Sequence, residues 1–170
     1  MLVREGRHLL DSFSASAEYI RPLGDSDVGP SPADLSPELT RHFRALRLWL
    51  PLQIAGIASF RAAQAEKLAL ARYFHARLRD MDGFDPGPVP DLSVVAFRYL
   101  PVQGDADMFN ERLLRHVQDE GRVMLSGTRI DGRFTLRCAI LSFRTHIEHV
   151  DEAIEALVRG VAKLADTAEA

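Results

Sequence analysis

The chain has 170 residues, 46% of them apolar and 26% charged, with a formal net charge of −3. A disordered chain would hold fewer apolar residues, and the negative balance argues against a general nucleic-acid binder. The most apolar stretch, Leu46 to Phe60, is interrupted by Arg47, Pro51, Gln53 and Gly56 and does not read as a membrane span. Arg4, Glu5, Arg7 and His8 fall too early for a secretory leader, and the single cysteine, Cys138, excludes a disulfide framework and a thiolate zinc site. These features predict a soluble protein of a reducing compartment, the cytoplasm.

A short helix is expected around His8–Tyr19. Residues 22–37 then place Pro22, Gly24, Gly29, Pro30, Pro32 and Pro37 among Asp25, Ser26, Asp27 and Asp34, with almost nothing to bury, which reads as a mobile surface loop of lid-like length. Ser36-Pro37 supplies a helix start with Glu38 in its first turn. That helix carries Leu39, Phe43, Leu46 and Leu50 on one face with Trp49 beside them, is kinked at Pro51 and ends at Gly56. A second helix follows, with Phe60, Ala63, Leu70, Phe74 and Leu78 near helical spacing, and stops at Asp82-Gly83.

From residue 91 the period changes. Leu92–Leu100 reads as a strand. Asp105–Glu120 reads as a helix, with Phe109, Leu113 and Val117 inward and Gly121 as its stop. Arg122–Arg129 and Arg133–Leu141 are two strands joined by Asp131-Gly132, a hairpin signal. Thr145-His146-Ile147-Glu148 is a capping box opening a last helix with Val150, Ile154, Leu157, Val161 and Leu164 on one face. The expected fold class is α+β, an antiparallel sheet covered by helices on one face. Within the second hairpin strand Phe134, Leu136, Cys138 and Ile140 share one side, so Arg137 projects from the other beside Ala139 and Leu141. A cation among apolar neighbours needs a partner or a ligand, and a salt bridge to a nearby acid is the simpler of the two.

No dinucleotide-binding, P-loop, nucleophile-elbow or zinc-helix motif is present. His146 and His149 lack a third ligand and read as solvated, so no metal is expected. Arg41, Arg44 and Arg47 form a basic stripe at helical spacing.

Three stretches resemble the group II pyridoxal-phosphate decarboxylases, the aromatic amino acid decarboxylase family. Leu2-Val3-Arg4, Phe13 and Glu18-Tyr19-Ile20-Arg21 are similar to the segment after that family's cofactor lysine. Pro37-Glu38-Leu39-Thr40-Arg41-His42-Phe43-Arg44-Ala45-Leu46-Arg47-Leu48-Trp49 resembles its proline–small residue–Arg-Arg-Phe-Arg–aliphatic–Trp signature. Ser126-Gly127-Thr128, Gly132-Arg133-Phe134, Leu136-Arg137 and Arg144-Thr145 resemble its terminal hairpin and helix. His42 stands where the signature has a second arginine, exchanging a permanent cation for a titrating one. Ala33 and Leu35 stand where aromatic-type relatives carry an arginine and a tryptophan, and Gly127 replaces a frequent asparagine.

The resemblance implies the C-terminal part of a fold-type I enzyme. Residues 1–37 would be the tail of the large domain with the catalytic lid loop, 38–82 connecting helices, and 83–170 the small α+β domain. It implies an enzyme that removes carbon dioxide from an L-amino acid on pyridoxal 5'-phosphate, held by a Schiff-base lysine of the large domain. Tyr19 matches the catalytic acid, on a lid that excludes water. Thr40 matches a substrate-binding position, Arg137 matches an arginine that binds a substrate carboxylate in glutamate-type relatives and is structural in aromatic-type ones, and Arg41, His42 and Arg44 anchor the lid. The partners implied are an amino acid substrate and either a second copy in a homodimer or a missing large domain, without nucleic acid or membrane. The family's His-Lys pair is expected to precede residue 1. The only lysines, Lys67 and Lys163, lie inside predicted helices, so no cofactor-binding residue is expected in this chain and activity is not expected from it alone. A non-catalytic binding or dimerisation module derived from the small domain is the alternative.

Overall fold

A computed structural model describes residues 3–13, 32–38 and 42–168. The chain forms two units, Met1–Ile54 and Ala55–Ala170. Tyr19, Thr40 and Arg41 lie outside the described residues, as does Leu39 of the expected apolar stripe.

In the first unit, helix α1 (Arg7–Phe13) and a short 3-10 turn at Pro32–Leu35 are the elements before helix α2 (Leu46–Arg79), which crosses the unit boundary. The expected helix start at Ser36-Pro37 is not used. The Ser36 hydroxyl instead accepts the Glu38 amide at 3.2 Å, and the Glu38 carboxylate is held by both contacts of the Arg44 guanidinium at 2.5 and 2.6 Å. A side chain bonding its own backbone two residues on favours a turn over a helix. The helix starts ten residues later, after the Leu46 amide bonds to the Phe43 carbonyl at 3.2 Å. Gly56 interrupts α2 as its sequence position suggests, with φ 74° and ψ 160°.

The second unit holds a four-stranded antiparallel sheet in the order β1-β2-β4-β3, made of β1 (Phe84–Asp85), β2 (Val94–Tyr99), β3 (Ser126–Ile130) and β4 (Arg133–Ala139). Helix α3 (Ala106–Glu120) connects β2 to β3 across β4, and α4 (Ile147–Ala168) closes the chain. Asp105 caps α3 by accepting the Met108 amide, and Gly121 ends it in the left-handed conformation, as expected from the sequence. Asp131 and Gly132 both take positive φ, 48° and 77°, which is the two-residue turn that matches strand twist.

Val95 and Phe97 of β2 face Cys138 and Leu136 of β4 in register. Their shared side is buried against Phe74 and Leu78 of α2, Leu113 and Val117 of α3, and Val150, Ile154 and Leu157 of α4. Phe74 and Phe97 meet edge to face with ring centres 5.3 Å apart. Within the second unit, α2, α3 and α4 cover this one side of the sheet. The capping box of α4 is displaced by one residue. The helix begins at Ile147, and the reaching-back group is His149 Nδ1, which accepts the His146 amide at 3.2 Å, where Glu148 was expected.

Candidate functional site

Within the second unit no helix covers the other side of the sheet. Alternation places Val94 and Ala96 of β2, Thr135, Arg137 and Ala139 of β4, and Ser126, Thr128 and Ile130 of β3 on that side. At one end a cleft of about 290 Å³ lies between the Asp85–Pro88 segment and the β3–β4 turn, with Ala96, Arg98, Arg133 and Thr135 among its lining residues. The Gly87 carbonyl of this rim is tied to His75 Nε2 of α2 at 3.1 Å.

A group of polar side chains secures that end of the sheet. The β2–β4 ladder stops at Phe97 and Leu136, two positions short of Tyr99 and Phe134. Asn110 takes both main-chain groups of Tyr99, accepting its amide at 2.8 Å and donating to its carbonyl at 2.8 Å. Asp107 accepts the Phe134 amide at 3.0 Å, and Arg98 donates to the Phe134 carbonyl at 2.7 Å and to Asp107 at 2.8 Å. The Phe134 amide, followed by the Arg98 and Arg129 guanidinium groups, holds the Asp107 carboxyl below the usual aspartate range. Sequence reading missed this group. Its signal was Asn110 on the same inward stripe as Leu113 and Val117, where an amide is retained only when all its hydrogen bonds are made.

Of the residues matched to the family's motifs, His42 and Arg44 lie in the first unit and Arg137 in the second. His42 is exposed, and Arg44 is committed to Glu38. Arg137 projects from the open side of the sheet, exposed, with no side-chain hydrogen bond or ion pair among the described residues. The salt bridge that a bland reading gave it is not made there. No group of three or more metal-ligating side chains is present among the described residues, and no described helix is long and apolar enough to cross a membrane.

The two lysines test whether this chain holds an aldehyde cofactor. The Lys67 side chain is only 3% exposed; its ammonium donates to Glu66 at 2.9 Å and to the Thr145 carbonyl. Glu66 also takes His146 Nδ1 at 2.7 Å, and the hydrogen bonds from His146 and Lys67 lower its carboxyl below the usual range. Lys67 thus ties α2 to the start of α4, a structural role that its position mid-helix did not reveal. Lys163 is exposed on α4 and is also engaged. Lys67, buried and bonded within the fold, does not present its ammonium to an aldehyde carbonyl, so among the described residues it does not fit the role of a pyridoxal-phosphate lysine.

Residues 1–100 match the model of the pyridoxal-dependent decarboxylase conserved domain. The chain belongs to this family. It is 30% identical over 165 residues to tyrosine decarboxylase 2 of Arabidopsis thaliana, covering 95% of this chain and 30% of that protein. Aromatic-L-amino-acid decarboxylase of Bacillus atrophaeus is 29% identical over 155 residues, with 88% of this chain and 32% of the relative covered. The solved tryptophan decarboxylase of Catharanthus roseus, in complex with L-tryptophan, superposes with a TM-score of 0.69 at 27% identity, over 79% of this chain and 28% of its own. The Oryza sativa structure with PLP and tryptamine gives 0.67 at 26% identity, over 73% and 28%. Mouse CSAD, at 18% identity and a TM-score of 0.73, shares the fold. The chain spans about a third of the length of the curated relatives it matches.

Proposed function

We propose that this chain is the loop-and-small-domain part of a pyridoxal-phosphate-dependent decarboxylase of L-amino acids, working in the cytoplasm as part of a dimeric enzyme. The family match over residues 1–100 carries this reading. The relatives named for tyrosine, tryptophan and aromatic amino acids support that substrate class. In this reading residues 1–37 are the end of the large domain with its lid, 38–82 connect, and 83–170 are the small domain. The cofactor supplies the electron sink for loss of carbon dioxide, and its attachment falls to polypeptide outside these 170 residues.

Within the chain, Tyr19 is the proton donor to the carbon that has lost carbon dioxide, placed on a loop whose closure excludes competing water. Thr40 sets the room for the substrate side chain. Arg137, whose guanidinium has no partner among the described residues, offers it to a carboxylate. Arg41, His42 and Arg44 hold the end of the loop, and the Arg44–Glu38 pair is consistent with that role.

The test uses the 170-residue chain and pyridoxal phosphate. No visible absorption band of a lysine-bound cofactor and no carbon dioxide from L-tyrosine or L-tryptophan are expected. A band abolished by Lys67→Ala would overturn the assignment of cofactor binding elsewhere. In a longer protein containing this region and a cofactor lysine, Tyr19→Phe is expected to lower amine formation or divert the reaction to aldehyde. Unchanged product and rate would remove Tyr19 from its role.

A further inference from the structure

The peptide unit joining Thr145 to His146 is held at both of its polar ends. Its carbonyl accepts the buried Lys67 ammonium of α2, and its N–H is accepted by His149 Nδ1 at 3.2 Å. An imidazole nitrogen accepts a hydrogen bond only through a lone pair, so this cap requires a neutral His149 with its proton on Nε2. His146 is arranged the other way. Its Nδ1 lies 2.7 Å from Glu66, whose carboxyl is held below the usual range, so that nitrogen carries a proton and cannot act as the acceptor. His149 has a second partner within reach, because Glu148 Oε1 stands 3.6 Å from the same Nδ1. One proton decides which of the two that atom takes. Without it Nδ1 receives the His146 amide; with it Nδ1 becomes a donor, repels that amide and is drawn to the Glu148 carboxylate. A cation in the first turn of α4 also opposes the helix dipole, which Glu148 complements.

We propose that the start of α4 is a proton-operated catch, closed by neutral His149 and released in acid, when His149 turns to Glu148 and the Thr145–His146 peptide is left held by Lys67 alone. The charged groups facing His149 are Glu148 on its own helix, His146 with ring centres 6.4 Å apart, and, on α2, Glu66 and Lys67, which are bonded to the His146 ring and to the Thr145 carbonyl. Arg144, in the preceding loop, is turned onto the Phe143 ring. Further protonation of His146 leaves its bond to Glu66 in place, so His149 is the residue that switches. An imidazole takes its proton between about pH 5 and 8, and the catch works in that window. This inference does not depend on the decarboxylase reading.

NMR of the nitrogen-15-labelled 170-residue chain tests the catch. At pH 8 the His149 ring is expected to carry its proton on Nε2 alone. Between pH 8 and 5 the protection of the His146 amide, corrected for intrinsic exchange, is expected to fall about fivefold in step with the His149 ring titration, with protection in β2 and β4 unchanged. His149→Gln, whose carboxamide oxygen accepts at any pH, is expected to keep the protection throughout, and His146→Gln is expected to keep the transition. Glu148→Gln is expected to move the transition to lower pH, and an unmoved one would overturn the exchange to Glu148. A proton on His149 Nδ1 at pH 8 would overturn the catch itself. So would a His149→Gln chain that loses the protection in acid as the native chain does.

Discussion

Replacing Asn110 by leucine tests whether the sheet is completed by a side chain where its ladder stops. Asn110 is fully buried, accepts the Tyr99 amide and donates to the Tyr99 and Ala106 carbonyls. Leucine has the same number of side-chain heavy atoms and the same branching but offers no polar atom, so the Tyr99 amide and carbonyl lose their partner in a dry environment. Each orphaned backbone group costs roughly 1–3 kcal/mol, and the gain from burying leucine offsets part of this, leaving a loss of about 3–4 kcal/mol. For a domain of this size that corresponds to a fall of roughly 12–16 °C in Tm. Urea unfolding followed by circular dichroism is expected to shift its midpoint with an unchanged slope, and the Tyr99 amide is expected to exchange faster. Asn110→Asp is expected to be worse at neutral pH and partly restored on acidification, because the protonated carboxyl regains a donor for the Tyr99 carbonyl. A loss below about 1 kcal/mol for Asn110→Leu would refute the reasoning, since it would mean that the Tyr99 groups find other partners.

Two further outcomes are expected. Asp107 has a lowered folded-state pKa, so its contribution is fully present above the unfolded aspartate value near 3.9 and is lost as pH falls through the folded value. Asp107→Asn is therefore expected to be less stable than the parent at pH 7, with the gap closing in acid; parallel stability–pH curves would refute this. Burial pushes the Cys138 thiol up to about 12, so in the native chain at pH 8 it is expected to resist an aromatic disulfide reagent and react only at the rate of unfolding. Immediate stoichiometric labelling would place Cys138 outside the core.

The α+β class, the one-sided helical cover and the hairpin at Asp131-Gly132 were readable from the sequence, because each rests on a short-range signal. A two-residue period marks β4, a 3.6-residue period marks α4, and Asp105 and Gly121 bracket α3 by local capping chemistry. The Ser36-Pro37 start failed for a related reason. The same hydroxyl that caps a helix also closes a turn, and the Arg44–Glu38 pair belongs to the turn. The box at Thr145 failed by one residue, because the Thr145 amide bonds to the Ser142 carbonyl and the His149 ring nitrogen accepts the next amide along, that of His146.

By itself the sequence determined which side of each strand is apolar, the family motifs and the presence of only two lysines. Tertiary structure alone decided what those lysines and the polar residues do. Lys67 sits beside Glu66 in the chain, but its second partner, the Thr145 carbonyl, is 78 residues away. Asn110 and Asp107 complete a sheet whose strands begin at Val94 and Arg133. No local pattern encodes such contacts, because a buried donor is satisfied by whichever acceptor the fold brings within reach. Lys67 reads as an ordinary helix lysine in the sequence and becomes a tie between α2 and α4 only because the fold brings the Thr145 carbonyl to it.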